Sequence, residues 1–189
     1  HSVKRASQGA KKRYAEFLEF AFTGWSDLEE RDWCVNGAGS PTISMHHEES
    51  PLNDYSVGSA LVKPTGFDLP GLEQFKPAAW IAAPVLKRSA GVRIPFIEKL
   101  PSHSRDTLFI YGGNWMAEPC YPEGLTENST YGVSSNQQML TVPQASGIAV
   151  DDYVFLRPTQ SEAVFLQFGD LCIVRGDRHV ANWPVSAEV

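Results

Sequence analysis

Two glycine-rich stretches in the first half of the chain carry residue types that suit phosphate binding. The first contains Gly37, Gly39 and Ser40, and the second contains Gly58 and Ser59. Glycine lets a ligand approach the backbone closely, and backbone N–H groups with a serine hydroxyl are the donors that a phosphate needs. The two stretches therefore predict a phosphate site. The alternative is that the glycines only turn the chain.

A second polar group precedes an apolar run near the end of the chain. Gln160, Ser161 and Glu162 come directly before Ala163-Val164-Phe165-Leu166. If this stretch is a strand, Gln160 and Glu162 point to one face and Ser161 to the other. Two polar groups directed at one spot suggest a ligand. The alternative is an edge strand whose first residues are solvated.

The elements predicted to carry the glycine stretches are a helix and two short strands. Apolar residues at helical spacing predict an amphipathic helix from about Arg13 to Arg31. A buried strand at 33–35 would lead into the first glycine stretch, and a strand around Gly58-Ser59 would carry the second. This order is typical of the end of a β/α barrel, where ligand loops follow the carboxyl ends of strands. One helix and two strands cannot close a barrel, so we expect further partners from an upstream segment or another chain.

The pattern changes after a short helix predicted over 67–75, with Asp68 as its N-cap. Strand-like runs then alternate with Gly, Pro, Asn and Asp, and the last two form a hairpin that turns at Gly176-Asp177. The predicted fold class is α/β plus all-β. Residues 1–76 would be the end of a β/α (TIM-type) barrel, and residues 77–189 an antiparallel β-domain.

Composition excludes several classes of protein. The 189 residues include 42% hydrophobic residues and carry a formal net charge of -6, which argues for a globular protein and against a general binder of nucleic acid or anionic membrane. The cysteines Cys34, Cys120 and Cys172 are far apart and form no zinc-type pair, which suits a reducing cytoplasm. Each is predicted to be a small buried hydrophobe.

Four stretches occur in the order of a known family. They are GAGSPT (37–42), VGSALVKPTGFDLP (57–70), DDYVFLRPTQSEAVFLQFGDL (151–171) and IVRGDRHVANWPV (173–185). Together they resemble the C-terminal half of the D-threonine aldolase and D-serine dehydratase family, and most of all its bacterial D-serine deaminase-like branch. These are pyridoxal-phosphate (PLP) enzymes with the alanine-racemase-type architecture (fold-type III), a β/α barrel followed by a β-domain. The resemblance extends from about residue 30 to the end of the chain.

The resemblance implies a function. The loops matching Gly37, Gly39, Ser40, Gly58 and Ser59 would hold the phosphate of PLP in a barrel formed partly by residues 1–76. The substrate would be a β-hydroxy D-amino acid such as D-serine, and loss of its hydroxyl would give a 2-keto acid and ammonia. Retro-aldol cleavage to glycine and an aldehyde is the alternative. The full-length enzyme would be a homodimer.

This chain departs from the family in two ways, and both limit how much of the family's function can be expected of it. The family's PLP-binding lysine lies near the N-terminus of the full-length protein, and nothing in this chain matches that segment. Lys63 stands in the wrong place and is predicted to be a surface lysine. We therefore expect a longer or split protein, in which the missing N-terminal barrel segment supplies the lysine and without which this chain is inactive.

The second departure concerns zinc. Zinc-dependent members carry a His and a Cys, two residues apart, where this chain has Gln160 and Glu162, and Gln is a poor zinc ligand. Glu162 with Gln160 and water suits Mg²⁺, Mn²⁺ or Ca²⁺ if any ion binds. If no metal is used, Glu162 would act as general acid toward the leaving hydroxyl and Gln160 would orient the substrate.

Two other functions remain open on the sequence. A racemase of the same architecture would need a second base, for which Tyr111 and Tyr131 are candidates. The chain could also be a non-catalytic fragment, since it lacks a segment matching the lysine.

Overall fold

The computed structural model describes residues 2–25, 33–46, 50–91, 104–128 and 133–185. The chain divides into two units. The first unit consists of His1–Leu61 and Phe67–Lys76, and the second of Val62–Gly66 and Pro77–Val189. In the described part of the chain, no helix has both the length and the apolar character that a bilayer crossing requires.

The first unit begins with a helix that starts earlier in the chain than predicted. Helix α1 spans Ser2–Gly24, because the Ala, Lys, Arg and Gln residues ahead of Arg13 are good helix formers although they show no apolar periodicity. Ala21 is buried on its inner face, and the Tyr14 hydroxyl donates to the Asn36 carbonyl at 2.7 Å. The predicted continuation over 26–31 lies outside the described residues.

The two strands of the first unit form a parallel pair, displaced from their predicted positions. Strand β1 is Asn36–Gly37 and strand β2 is Asp54–Tyr55, and they pair in parallel. The strand predicted at 33–35 is therefore wrong by position. The strand predicted around Gly58-Ser59 is also wrong, because Ser59–Val62 forms a short helix, α2. Two short parallel strands agree with a β/α unit, while the complete barrel stays a prediction.

The helix predicted over 67–75 is wrong. A 3₁₀ helix, Thr65–Phe67, ends at the first residue of that range, and Gly71 has a φ of 92°. This left-handed conformation interrupts a helix. A second 3₁₀ helix, Ile43–Met45, follows the first glycine stretch.

The second unit is built on one antiparallel sheet, so the prediction of an antiparallel β-domain is confirmed. Its strands are β3 (Ile81–Ala90), β4 (Arg105–Tyr111), β5 (Ala117–Tyr121), β6 (Thr126–Glu127), β7 (Gln137–Pro143) and β8 (Tyr153–Pro158). Their spatial order is β5-β8-β3-β4-β7-β6. Because residues 122–125 join the two edge strands directly, the sheet must curl into a nearly closed barrel. Its core is made of alternate inward residues, among them Val85, Leu108, Ile110, Leu140, Val142, Val154 and Leu156.

A hairpin follows the sheet. Strands β9 (Leu171–Arg175) and β10 (Arg178–Trp183) pair across Gly176-Asp177, which confirms the predicted turn. The three cysteines are exposed, so their prediction as buried hydrophobes is wrong. Cys120 lies on an edge strand and Cys172 on this hairpin, where outward positions are solvated.

An ion pair between the partly exposed Arg88 and the buried Asp106 joins β3 to β4 and to the turn after β7. Arg88 Nε lies 2.7 Å from Asp106 Oδ2, and its other nitrogens donate to the carbonyls of Gln144 and Ile148. Burial opposes the ionisation of Asp106, but hydrogen bonds from Arg88, Gln144 and the Gly91 amide outweigh it and lower the pKa of this carboxyl. Asp106 therefore stabilises the folded state in its charged form.

We predict that Asp106→Asn lowers the free energy of unfolding at pH 7 by about 1–3 kcal/mol. Because the native pKa is lowered, the stabilisation is present above about pH 4 and lost as the pH falls through the native value. Urea unfolding at pH 7 and at acid pH measures the difference. Asp177→Asn is the control, since that side chain is 96% exposed. A deficit that persists unchanged at acid pH would contradict this account.

Candidate functional site

The structure brings the two predicted glycine stretches together. The first begins at Gly37, the last residue of β1, and the second begins at Gly58, three residues after the end of β2. The Ser40 hydroxyl joins them. Its oxygen accepts hydrogen bonds from the amides of Gly58 at 3.3 Å and Ala60 at 3.0 Å. Ser40 is 7% exposed, so this contact is shielded from water. Parallel strands end at the same edge of a sheet, which places their ligand loops side by side.

The space around the glycines differs between Gly37 and the other two positions, Gly39 and Gly58. A Cβ at Gly37 would lie 3.0 Å from both Cδ atoms of Leu52, so packing alone accounts for this glycine. A Cβ at Gly58 would have no heavy atom within 4 Å, and one at Gly39 only Pro41 Cδ at 3.8 Å. Neither Gly39 nor Gly58 has a positive φ. The backbone at these two positions therefore has room beside it for a ligand to approach closely.

The predicted site residues thus separate into two groups. Gly39 and Gly58 border open space that an anion can enter. Ser40 holds the two stretches in place, and Gly37 allows the packing of Leu52. Direct contact of a phosphate with any of these residues, and with Ser59, stays a prediction.

Sequence reasoning missed a polar face on the same strands. Four polar side chains share one face of the two strands, and hydrogen bonds connect them. They are Cys34, Asn36, Asp54 and Ser56. Val35 on the opposite face is buried. Strands of a parallel sheet are usually apolar on both faces, so this polar face marks a surface that water or a ligand contacts. The signal in the sequence was polar residues at i and i+2 in both strands.

The predicted pair Gln160 and Glu162 lies in the second unit, on a different local structure from the one assumed. Strand β8 ends at Pro158, and Glu162–Phe165 forms a short helix, α3. The strand predicted through 163–166 is wrong, because Val164 alone turns fully into the core. Strand alternation therefore does not align Gln160 with Glu162. Both side chains are exposed and Ser161 is buried, so their role as ligand contacts stays a prediction.

Arg157, just before this segment, has a clear structural task within the second unit. Its Nε and Nη2 donate to the Lys63 carbonyl at 3.1 and 2.9 Å, and Nη2 donates to the Pro64 carbonyl at 3.2 Å. Lys63 is 9% exposed with a φ of 45°. The prediction of a surface lysine is therefore wrong. The guanidinium fixes a strained backbone turn that immediately follows α2.

Other predicted groups are only partly described. Tyr111 is exposed at the end of β4, and Tyr131 lies outside the described residues. Among the described residues, no three His, Cys, Asp or Glu side chains cluster as metal ligands would. Metal use at Gln160 and Glu162 stays a prediction.

No family model matches the chain, and no curated protein does. Among solved structures, the chain is similar to the D-threonine aldolase from Filomicrobium marinum, with a TM-score of 0.67 and 16% sequence identity. The likeness covers 96% of this chain and 47% of that enzyme. The shared property is the fold. The chain spans about half the length of that enzyme, so its activity has to be argued from its own residues.

We predict that Ser40→Ala lowers the free energy of unfolding of the first unit by about 1–3 kcal/mol, because the part-buried amide of Gly58 and the buried amide of Ala60 lose their acceptor. Ser146→Ala is the matched control, since its buried hydroxyl has no hydrogen-bond partner within the described residues. Urea unfolding followed by circular dichroism measures both variants. Equal stability of the two would show that Ser40 does not hold the glycine stretches together.

Proposed function

We propose that this chain is part of a PLP-dependent lyase that removes the hydroxyl of a β-hydroxy D-amino acid such as D-serine and releases a 2-keto acid and ammonia. The observation that carries the proposal is the pair of glycines, Gly39 and Gly58, that adjoin open space in two neighbouring loops. The fold shared with a D-threonine aldolase and the sequence resemblance to the D-serine deaminase-like branch support it. The substrate and the reaction are parts of the proposal.

The residues present suit the phosphate of PLP. Backbone at Gly39 and Gly58 can approach phosphate oxygens without a side chain in between, and the Ser40 hydroxyl fixes the spacing of the two loops. The amides of Gly39 and Gly58 already donate to Thr42 Oγ1 and Ser40 Oγ, so the phosphate would be held by neighbouring N–H groups of these two loops. Loops that are ordered beforehand lose less entropy when they bind an anion. When bound, PLP withdraws electrons from the bond that breaks at Cα.

Two exposed side chains are proposed to act on the substrate. The Glu162 carboxyl would donate a proton to the leaving hydroxyl oxygen, and the Gln160 amide would hold the substrate carboxylate or hydroxyl by hydrogen bonding. Both can be reached by a ligand because both are exposed. If a hard divalent ion is used instead, the same two oxygen ligands would contribute to its coordination.

Retro-aldol cleavage is the second candidate. The D-threonine aldolase with the same fold favours it, and it needs the same phosphate site. The two reactions differ in their products, since cleavage gives glycine and an aldehyde where elimination gives a 2-keto acid and ammonia.

We predict that Gly58→Ala weakens the binding of pyridoxine 5′-phosphate to the 189-residue chain by about tenfold or more, because the methyl group occupies the ligand's space. The same change should leave the unfolding free energy nearly unaltered, since a Cβ there meets no atom within 4 Å. Gly37→Ala is the counterpart, expected to lower stability because its Cβ would meet Leu52 at 3.0 Å. Isothermal titration calorimetry and urea unfolding give the two readouts. Unchanged binding in Gly58→Ala would contradict the phosphate site.

The proposal also names a partner: a barrel segment that carries the PLP-binding lysine, in a protein expected to act as a homodimer. Borohydride reduction of natively purified protein, followed by intact mass of every polypeptide, tests this. We expect a pyridoxyl-phosphate adduct on a lysine outside residues 1–189. An adduct on a lysine of this chain, or none on any co-purifying polypeptide, would contradict the assignment of the partner.

Activity should be measured on the protein together with the polypeptide that carries this lysine. We predict 2-keto acid release from D-serine, reduced about 100-fold or more by Glu162→Ala because the leaving hydroxyl loses its proton donor. Glu123→Ala is the control, an exposed carboxylate in the turn after β5. Glycine release from D-threonine without 2-keto acid would favour the second candidate, and unchanged rates in Glu162→Ala would remove the role of Glu162.

A further inference from the structure

We propose that Asp54 accepts a hydrogen bond from a protonated ring nitrogen of the ligand whose phosphate lies at Gly39 and Gly58. The inference rests on the proposed function, because it requires that ligand to be a phosphorylated pyridine. It assigns a task to the polar face of β1 and β2, which the proposed function leaves unused.

The polar face occupies the side of the parallel pair that is opposite the buried Val35. Asn36 and Asp54 are direct cross-strand partners, and Cys34 and Ser56 lie two residues before and after them on the same face. All four are exposed in this chain. In open sheets and barrels of parallel strands, ligands bind at the carboxyl ends of the strands. A polar face directly before two ligand loops is therefore placed to contact the same ligand.

The hydrogen bonds of this face have a direction. Ser56 Oγ donates to Asn36 Oδ1 at 3.0 Å, which orients the amide so that its Nδ2 donates to Asp54 Oδ2. The Cys34 thiol lies 3.8 Å from the same Oδ2. Two donors thus gather on one carboxylate oxygen. No described residue donates to Asp54 Oδ1, although a carboxylate oxygen has two acceptor positions.

This arrangement holds Oδ1 as a preorganised acceptor. A protonated nitrogen suits it best, since a hydrogen bond between two charged groups is stronger than one between neutral groups. Asp54 precedes Gly58 by four residues, which separates them by at most about 13 Å of chain. A phosphorylated pyridine can span that distance with one hydrogen bond at each end.

The test compares two phosphate esters on the 189-residue chain by isothermal titration calorimetry. Pyridoxine 5′-phosphate has the ring nitrogen and lacks the aldehyde that would react with lysines, and benzyl phosphate has the phosphate and ring without the nitrogen. We expect Asp54→Asn to bind pyridoxine 5′-phosphate about tenfold more weakly and benzyl phosphate about equally, as loss of a single charged hydrogen bond predicts. Asparagine keeps the shape and can still accept from Asn36. Glu16→Gln on α1 is the control and should change neither affinity.

A spectroscopic readout separates recognition of the nitrogen from a general loosening of the site. The ultraviolet spectrum of bound pyridoxine 5′-phosphate reports ring protonation, and its titration should be shifted to higher pH in the wild type and not in Asp54→Asn. Equal weakening of both esters, or an unshifted ring titration in the wild type, would overturn the role of Asp54 while the phosphate site stands. Failure of the wild type to bind either ester would overturn the proposed function and this inference with it.

Discussion

Two hydrogen bonds to the Ser40 hydroxyl hold the first unit's two loops in register. The amides of Gly58 and Ala60 both donate to this one oxygen, and Ser40 itself is buried. Because β1 and β2 contribute only two residues each, their ladder alone gives little rigidity. The spacing of the loops, and with it the distance between Gly39 and Gly58, therefore depends on Ser40 together with the cross-strand hydrogen bonds that Asn36 makes with Asp54 and Ser56.

The second unit gains its rigidity in another way. The edge strands β5 and β6 are consecutive in the chain while the other four strands lie between them in the sheet, so the sheet has to curl toward closure. A curled sheet shields its own edges, and this one encloses a core of Val, Leu and Ile. Arg88 and Arg157 add polar anchors, the first between strands and the second to the carbonyls of Lys63 and Pro64.

The sequence predicted those secondary-structure elements that the pattern of neighbouring residues determines. The runs that became β3, β4, β7 and β8 and the hairpin at Gly176-Asp177 followed from alternation and turn residues. Prediction from the sequence failed where tertiary contacts decide the local structure. The Ser40 hydroxyl accepts hydrogen bonds from Gly58 and Ala60, where a short helix begins. Val164 enters the core from a helical turn. The glycine loops were located from residue types, but only the structure distinguishes Gly37, needed for packing, from Gly39 and Gly58. The polar face of Asn36 and Asp54 was missed because the strands were placed one to four residues away.

The central claim is that backbone at Gly39 and Gly58 binds the phosphate of PLP. The most direct measurement is a crystal structure of the 189-residue chain grown with pyridoxine 5′-phosphate, which has the same phosphate and ring nitrogen. The account predicts phosphate oxygens within hydrogen-bond distance of backbone N–H groups in both glycine loops, with Ser40 still joining them. A phosphate bound elsewhere, or open space beside Gly39 and Gly58 at saturating ligand, would contradict it.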